Sequence, residues 1–180
     1  MRALARHALT LAAMLIASIG APFQVMAAPE GATPAADDAS YLSRFEGQWT
    51  GSGLGRRGPS APTESIRCDV SGRTQDAVLL IRGQCAGSDF SIHVLASLQY
   101  DSQSGRYLGS WRDGTGTNAN LSGSRRGQTL ALLLTSPAGG ARPVEAGQMT
   151  LTSQGRRFRL VLQRQDGQGQ PLVNITFHRR

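Results

Sequence analysis

The 180-residue sequence contains no lysine, so all 19 of its basic residues are arginine. Beside abundant Arg, Ala and Gly, that absence reflects GC-rich coding rather than selection for arginine chemistry. The formal charge of +7 is therefore no argument for nucleic acid. The arginines are scattered, with pairs at Arg56-Arg57, Arg125-Arg126, Arg156-Arg157 and Arg179-Arg180 that fall mostly at expected turns or ends. A solvated positive surface is expected, with no nucleic-acid partner. Long apolar runs are also missing. Ala8 to Ile19 is too short to span a bilayer comfortably, and no later stretch approaches 18 apolar residues, which excludes a transmembrane helix. There are only two cysteines, and without a nearby histidine in sequence they do not complete a tetrahedral zinc site. The 12 acids are spread mostly over turns, so no carboxylate pair for glycosidase chemistry stands out.

What is present begins with an address. Arg2 and Arg6 precede the apolar run, and Val25-Met26-Ala27 supplies a small-residue cleavage site, the pattern of a secretory signal peptide over residues 1–27. The expected location is periplasmic or secreted. The remaining 153 residues keep 17 Arg against 12 acids, a net +5, and suffice for one compact domain. Residues 28–39 are rich in Ala, Pro, Gly and Asp and read as a disordered leader, with the domain proper over 40–180.

One short helix is expected near Tyr41, Leu42 and Phe45, capped by Asp38 or Ser40 and stopped by Gly47. From Gln48 onward, period-two alternation recurs between Gly, Ser, Asn and Asp clusters. It predicts about ten strands: 49–54, 64–71, 78–86, 90–100, 106–113, 117–124, 129–136, 148–153, 157–165 and 172–179. Side chains two apart share a sheet face. Phe90, Ile92, Val94, Ala96, Leu98 and Tyr100 thus form one apolar stripe, backed by Ser91, His93, Ser97 and Gln99. Such a meander must hide its edges, and an up-and-down barrel does so by closing. The expected fold is all-β, an antiparallel up-and-down barrel of about 8–10 strands with one short N-terminal helix. A two-sheet sandwich would produce similar alternation.

The opening Phe45-Glu46-Gly47-Gln48-Trp49-Thr50-Gly51-Ser52-Gly53 resembles the first strand of the calycin superfamily, the barrels of lipocalins and fatty-acid-binding proteins. That resemblance implies that Trp49 plugs a closed end and that an Arg from the last strand, Arg179, packs over it. Trp49-Thr50-Gly51-Ser52-Gly53 is also similar to the start of the nitrobindins, ten-stranded haem barrels whose iron ligand is a His near the start of the last strand. This chain has Pro171-Leu172-Val173-Asn174-Ile175 there, so haem is not carried over and no cofactor is expected. The export signal, Gly47-x-Trp49 and two cysteines resemble the small periplasmic inhibitors of bacterial metalloproteases, whose leader enters the protease cleft. This chain is longer, and Ala28-Pro29-Glu30 lacks their Ser-rich start. Across most of the mature chain it looks like exported alphaproteobacterial proteins of uncharacterised activity with a Trp-x-Gly-x-Gly start and two cysteines, which implies fold and export.

Several apparent motifs dissolve on inspection. Gly53-Leu54-Gly55-Arg56-Arg57-Gly58 matches a dinucleotide fingerprint, but Pro59-Ser60-Ala61-Pro62 follows where a helix must start. Asp89, Ser91 and His93 share one strand face, where same-face Cα atoms stand roughly 6.6 Å apart, too far to set two triad hydrogen bonds. His93 and His178 read as solvated imidazoles and not as a metal site. The sequons at Asn120 and Asn174 fall inside expected strands. No catalytic residue is identified, and the protein is not expected to be an enzyme.

Cys68 and Cys85 are an even pair in an exported chain and should be bonded. Both lie on inward parity, and pairing them centres a hairpin between Asp76 and Ala77. The leading functional expectation is a small apolar or amphipathic ligand held in the barrel by Trp49, Phe90, Tyr100 and Trp111, and Tyr107 is a further aromatic on alternate positions that could line such a cavity. The same residues would serve equally as packed core. The alternatives are a filled barrel acting as a protein or envelope interaction module, and an inhibitor working through its leader.

Overall fold

A computed structural model describes residues 34–56, 61–114, 116, 118–137, 147–164 and 169–180. The expected signal peptide lies outside these residues. A helix, α1 (Pro34–Tyr41), runs into a 3-10 turn, Leu42–Phe45. Ten strands follow: β1 (Gly47–Gly55), β2 (Glu64–Gln75), β3 (Val78–Ala86), β4 (Ser91–Asp101), β5 (Arg106–Asp113), β6 (Asn118–Arg126), β7 (Thr129–Thr135), β8 (Gly147–Gln154), β9 (Arg157–Arg164) and β10 (Val173–Arg179). Each pairs antiparallel with the next, and β10 pairs back with β1 from Trp49 opposite Arg179 to Gly55 opposite Val173. The sheet is thus a closed barrel without edges, and the sandwich alternative is set aside.

The alternation works as the pleat requires. On β2, Ile66, Cys68 and Val70 are buried while Arg67 and Asp69 are exposed, and on β4, Val94, Ala96 and Leu98 are buried while His93, Leu95 and Gln99 are exposed. On β1 the inward positions are nearly all glycine. A Cβ at Gly51 would stand 2.5 Å from the Phe177 ring, and one at Gly53 would stand 2.0 Å from the Asn174 carbonyl oxygen. The Trp-x-Gly-x-Gly start therefore lets β10 close tightly on β1 and leaves the space inside to Phe177.

The leader expected over 28–39 is corrected only from residue 34 on, since 28–33 lie outside the described residues. Residues 34–39, read from composition as part of a disordered leader, are helical and continue into the turn at Leu42. The reason is tertiary: Asp37 and Asp38 are tied to Arg125 on β6, across 2.5 Å each. Composition shows that the segment has little to bury, but not that a distant arginine will hold it.

The β2–β3 hairpin turns on Asp76 (φ 50°) and Ala77 (φ 63°), both left-handed, as a two-residue primed turn demands. Left-handed geometry costs an alanine about 1–2 kcal/mol. Ala77→Gly relieves this against about 0.4–1 kcal/mol from a freer unfolded chain. A net stabilisation of about 0.5–1 kcal/mol is expected by urea denaturation; a loss of stability would show that the turn is not left-handed.

Candidate functional site

Successive hairpins alternate between the two ends of the barrel, and α1 with its 3-10 turn covers one of them. There Tyr41, Leu42, Phe45 and Trp49 are each 1% exposed. The Trp49 indole N–H donates to the Phe45 carbonyl at 3.0 Å, which ties strand to turn. Aromatic rings fill this half in a chain of edge contacts, from Tyr107 to Tyr41 at 6.2 Å, Tyr41 to Phe45 at 5.5 Å, Phe45 to Phe158 at 5.3 Å and Phe158 to Trp49 at 4.9 Å. Phe177 stacks flat on Phe158 at 4.4 Å. Arg179 lies with its guanidinium carbon 4.8 Å above the Trp49 ring and donates to the Arg44 carbonyl at 3.2 Å. Because Arg179 is exposed, its cation–π contact belongs at the weaker end, about 0.5–1 kcal/mol.

The same end carries a polar latch. Arg125 pairs with both Asp37 and Asp38, and the Tyr107 hydroxyl donates to the Asp38 carbonyl at 2.7 Å. Burial works against the charge on Arg125, but the two aspartates outweigh it and raise its pKa. Burial, followed by the Asp38 contact, also raises the pKa of Tyr107. The Tyr41 hydroxyl donates to the Gln128 carbonyl at 2.8 Å, and burial pushes its pKa up to about 12 against the opposing pull of Arg44 and Arg125. With the folded value above the unfolded 10.0, the stability from neutral Tyr41 is complete below pH 10 and fades as pH rises towards 12. Phenolate absorbance should show delayed ionisation in the folded protein. Tyr41→Phe should remove one delayed group; an unchanged titration curve would contradict the assignment.

The other half of the barrel is not filled. Beyond Phe158 and Phe177 lies a cavity of about 110 Å³ whose lining side chains are all apolar. Phe90, Ile92 and Trp111 wall it on one side, Leu160, Leu162 and Val173 on the other, and the bonded Cys68 and Cys85 complete the wall. The disulfide is thus part of the cavity wall. Cys68 and Cys85 stand directly opposite in the β2–β3 register, as their parity and the turn at Asp76-Ala77 require.

The residues singled out from sequence part company here. Phe90 and Trp111 line the cavity. Trp49 and Tyr100 do not. Trp49 is sealed into the covered end under Arg179, and Tyr100 packs against Tyr107 at 5.2 Å near the same end. The stripe on β4 is continuous, but its two termini point into different halves of the barrel, which sequence parity does not reveal. Met149, Leu121 and the stacked pair Phe158 and Phe177 complete the cavity and were not singled out. Their inward parity was the available signal for β9 and β10. His93 and His178 are exposed and lie on β4 and β10, which are not neighbours. Among the described residues, no three His, Cys, Asp or Glu side chains come together as a metal site.

No protein-family model matches the chain, and no curated protein matches it. Among solved structures, the crystal structure of Rv2717c from M. tuberculosis is similar, with a TM-score of 0.59 and 19% identity over 83% of this chain and 99% of that one. At that identity the likeness concerns the fold alone.

Proposed function

We infer that this protein is an exported barrel of the calycin type, without catalytic activity, that binds a small neutral apolar molecule in the open half of the barrel. The cavity carries this reading: about 110 Å³ bounded by aliphatic, aromatic, thioether and disulfide side chains, above a covered end already filled by its own rings. An apolar cavity of this order stays dry and takes up compact apolar guests of about benzene size. A carboxylate would enter without a partner, at a cost of at least several kcal/mol. The site therefore favours neutral ligands over fatty acids. Neither exposed histidine is available to a metalloporphyrin inside the barrel. The inhibitor alternative loses ground because Asp37 and Asp38 are held on the barrel by Arg125 and are not free to enter a partner's cleft. Export rests on the signal peptide pattern, and the Cys68–Cys85 bond accords with an oxidising compartment.

The test is a titration with benzene and with benzoate, followed by Trp111 fluorescence and calorimetry. Benzene should bind and benzoate should bind more than about 100-fold less tightly. Ala96 lines the cavity, so Ala96→Leu places three further carbons in it. That variant should lose benzene binding while stability holds or rises. Equal binding by Ala96→Leu and the parent would sink the reading, as would equal affinity for the two ligands.

A further inference from the structure

Two outward rows across β2 to β5 combine exposed leucine with charge of one sign. Pairing places Arg82 and Arg112 on either side of Leu95, and one row nearer the covered end it places Arg73 beside Leu80. Leu80 is 39% exposed and Leu95 46% exposed, two of the three large apolar side chains exposed among the described residues. The other outward positions of these two rows, from Ser71 and Ser97 to Ser110 and Asn118, are uncharged. The nearest outward acid on β2, Asp69, stands one row away and is engaged by Arg180 and Thr50. Among the described residues, no acidic group reaches the guanidinium of Arg73, Arg82 or Arg112.

A solvated cationic face needs no leucine, and scattered single leucines need no arginine. Here they alternate on adjacent strands, so one occupant should satisfy both. Soluble polyanions would take the guanidiniums and leave both leucines in water. A bilayer surface that contains anionic phospholipid offers phosphate for bidentate pairing with arginine and an acyl boundary for leucine at the same depth.

We propose that the outer face of β2 to β5, through Arg73, Arg82, Arg112, Leu80 and Leu95, docks this protein on an anionic phospholipid surface. The docking face lies on the barrel wall and is independent of the cavity, so each can fail without the other.

The experiment is cosedimentation of the processed chain with vesicles of equal parts phosphatidylglycerol and phosphatidylcholine, against vesicles of phosphatidylcholine alone. Binding is expected only to the first, and it should weaken as salt is raised from about 0.05 to about 0.5 M. Arg82→Glu with Arg112→Glu should lower partitioning about tenfold or more. The same charge change at Arg156 and Arg157, on the β8–β9 hairpin across the barrel, should leave it nearly unchanged. Leu80→Ser with Leu95→Ser should weaken binding at constant charge. All these positions are exposed, so near-ultraviolet circular dichroism should stay that of the parent. Absence of binding to anionic vesicles would overturn the proposal, as would equal loss in the two charge variants. Leucine variants that bind as the parent does, with soluble polyphosphate competing fully, would replace the membrane by a polyanion.

Discussion

Phe158→Ala is expected to destabilise the barrel by about 3–5 kcal/mol and, in the same stroke, to widen the range of molecules the cavity accepts. Phe158 is 4% exposed and touches the rings of Phe45, Trp49 and Phe177. It is also part of the cavity wall. Its ring therefore divides the filled half of the barrel from the open half. Deleting it removes three ring contacts and joins the vacated space to the existing cavity. Urea denaturation reads the first effect, and binding of naphthalene compared with benzene reads the second. The parent should prefer benzene, and the variant should gain naphthalene. Ligand at about 100 times its dissociation constant should return about 2.7 kcal/mol of the lost stability. Phe158→Leu keeps more of the contact and provides a milder version if the alanine variant folds poorly. A loss under about 1 kcal/mol would show that the ring is not central to the packing. An unchanged ligand range would show that it is not the divider.

Replacing Cys68 and Cys85 together by alanine should cost about 3 kcal/mol on the chain-entropy model, since the bridge closes a loop with a sequence separation of 17. For a chain of this length that corresponds to a fall in melting temperature of about 6–12 °C. The bond joins β2 to β3 behind a turn that contains a strained alanine, so it stabilises a hairpin whose turn has little local preference. Its loss should also loosen the cavity wall and weaken ligand binding more than its distance from the covered end would suggest. Scanning calorimetry of oxidised and reduced parent protein offers the same comparison without mutation. Equal melting temperatures, or two free thiols in unfolded, unreduced protein from an oxidising host, would contradict the bridge.

Much of the fold was legible because alternation along a strand is a local signal. The ten strands came from period two and turn chemistry, and the bond between Cys68 and Cys85 from parity together with one turn. The two places where sequence and structure diverge have one cause. Trp49 and Tyr100 have the inward parity of a cavity residue, yet they belong to the plug. Residues 34–39 have the composition of a leader, yet they are held by Arg125. Parity tells which face of a strand a side chain leaves from, but not how deep along the barrel axis it sits or what arrives from elsewhere to cover it.

The sequence by itself determined an all-β meander, its inward and outward faces and the hairpin that carries the cysteines. Each of these follows from backbone geometry and spacing over a few residues. Only the tertiary structure decided that the sheet closes, with β1 on β10, and which end is filled by Tyr41, Phe45, Trp49 and Phe158. Only it left an apolar cavity at the other end. Closure and filling depend on strand number and on the summed volume of side chains from residues more than a hundred positions apart, and no local pattern encodes that sum.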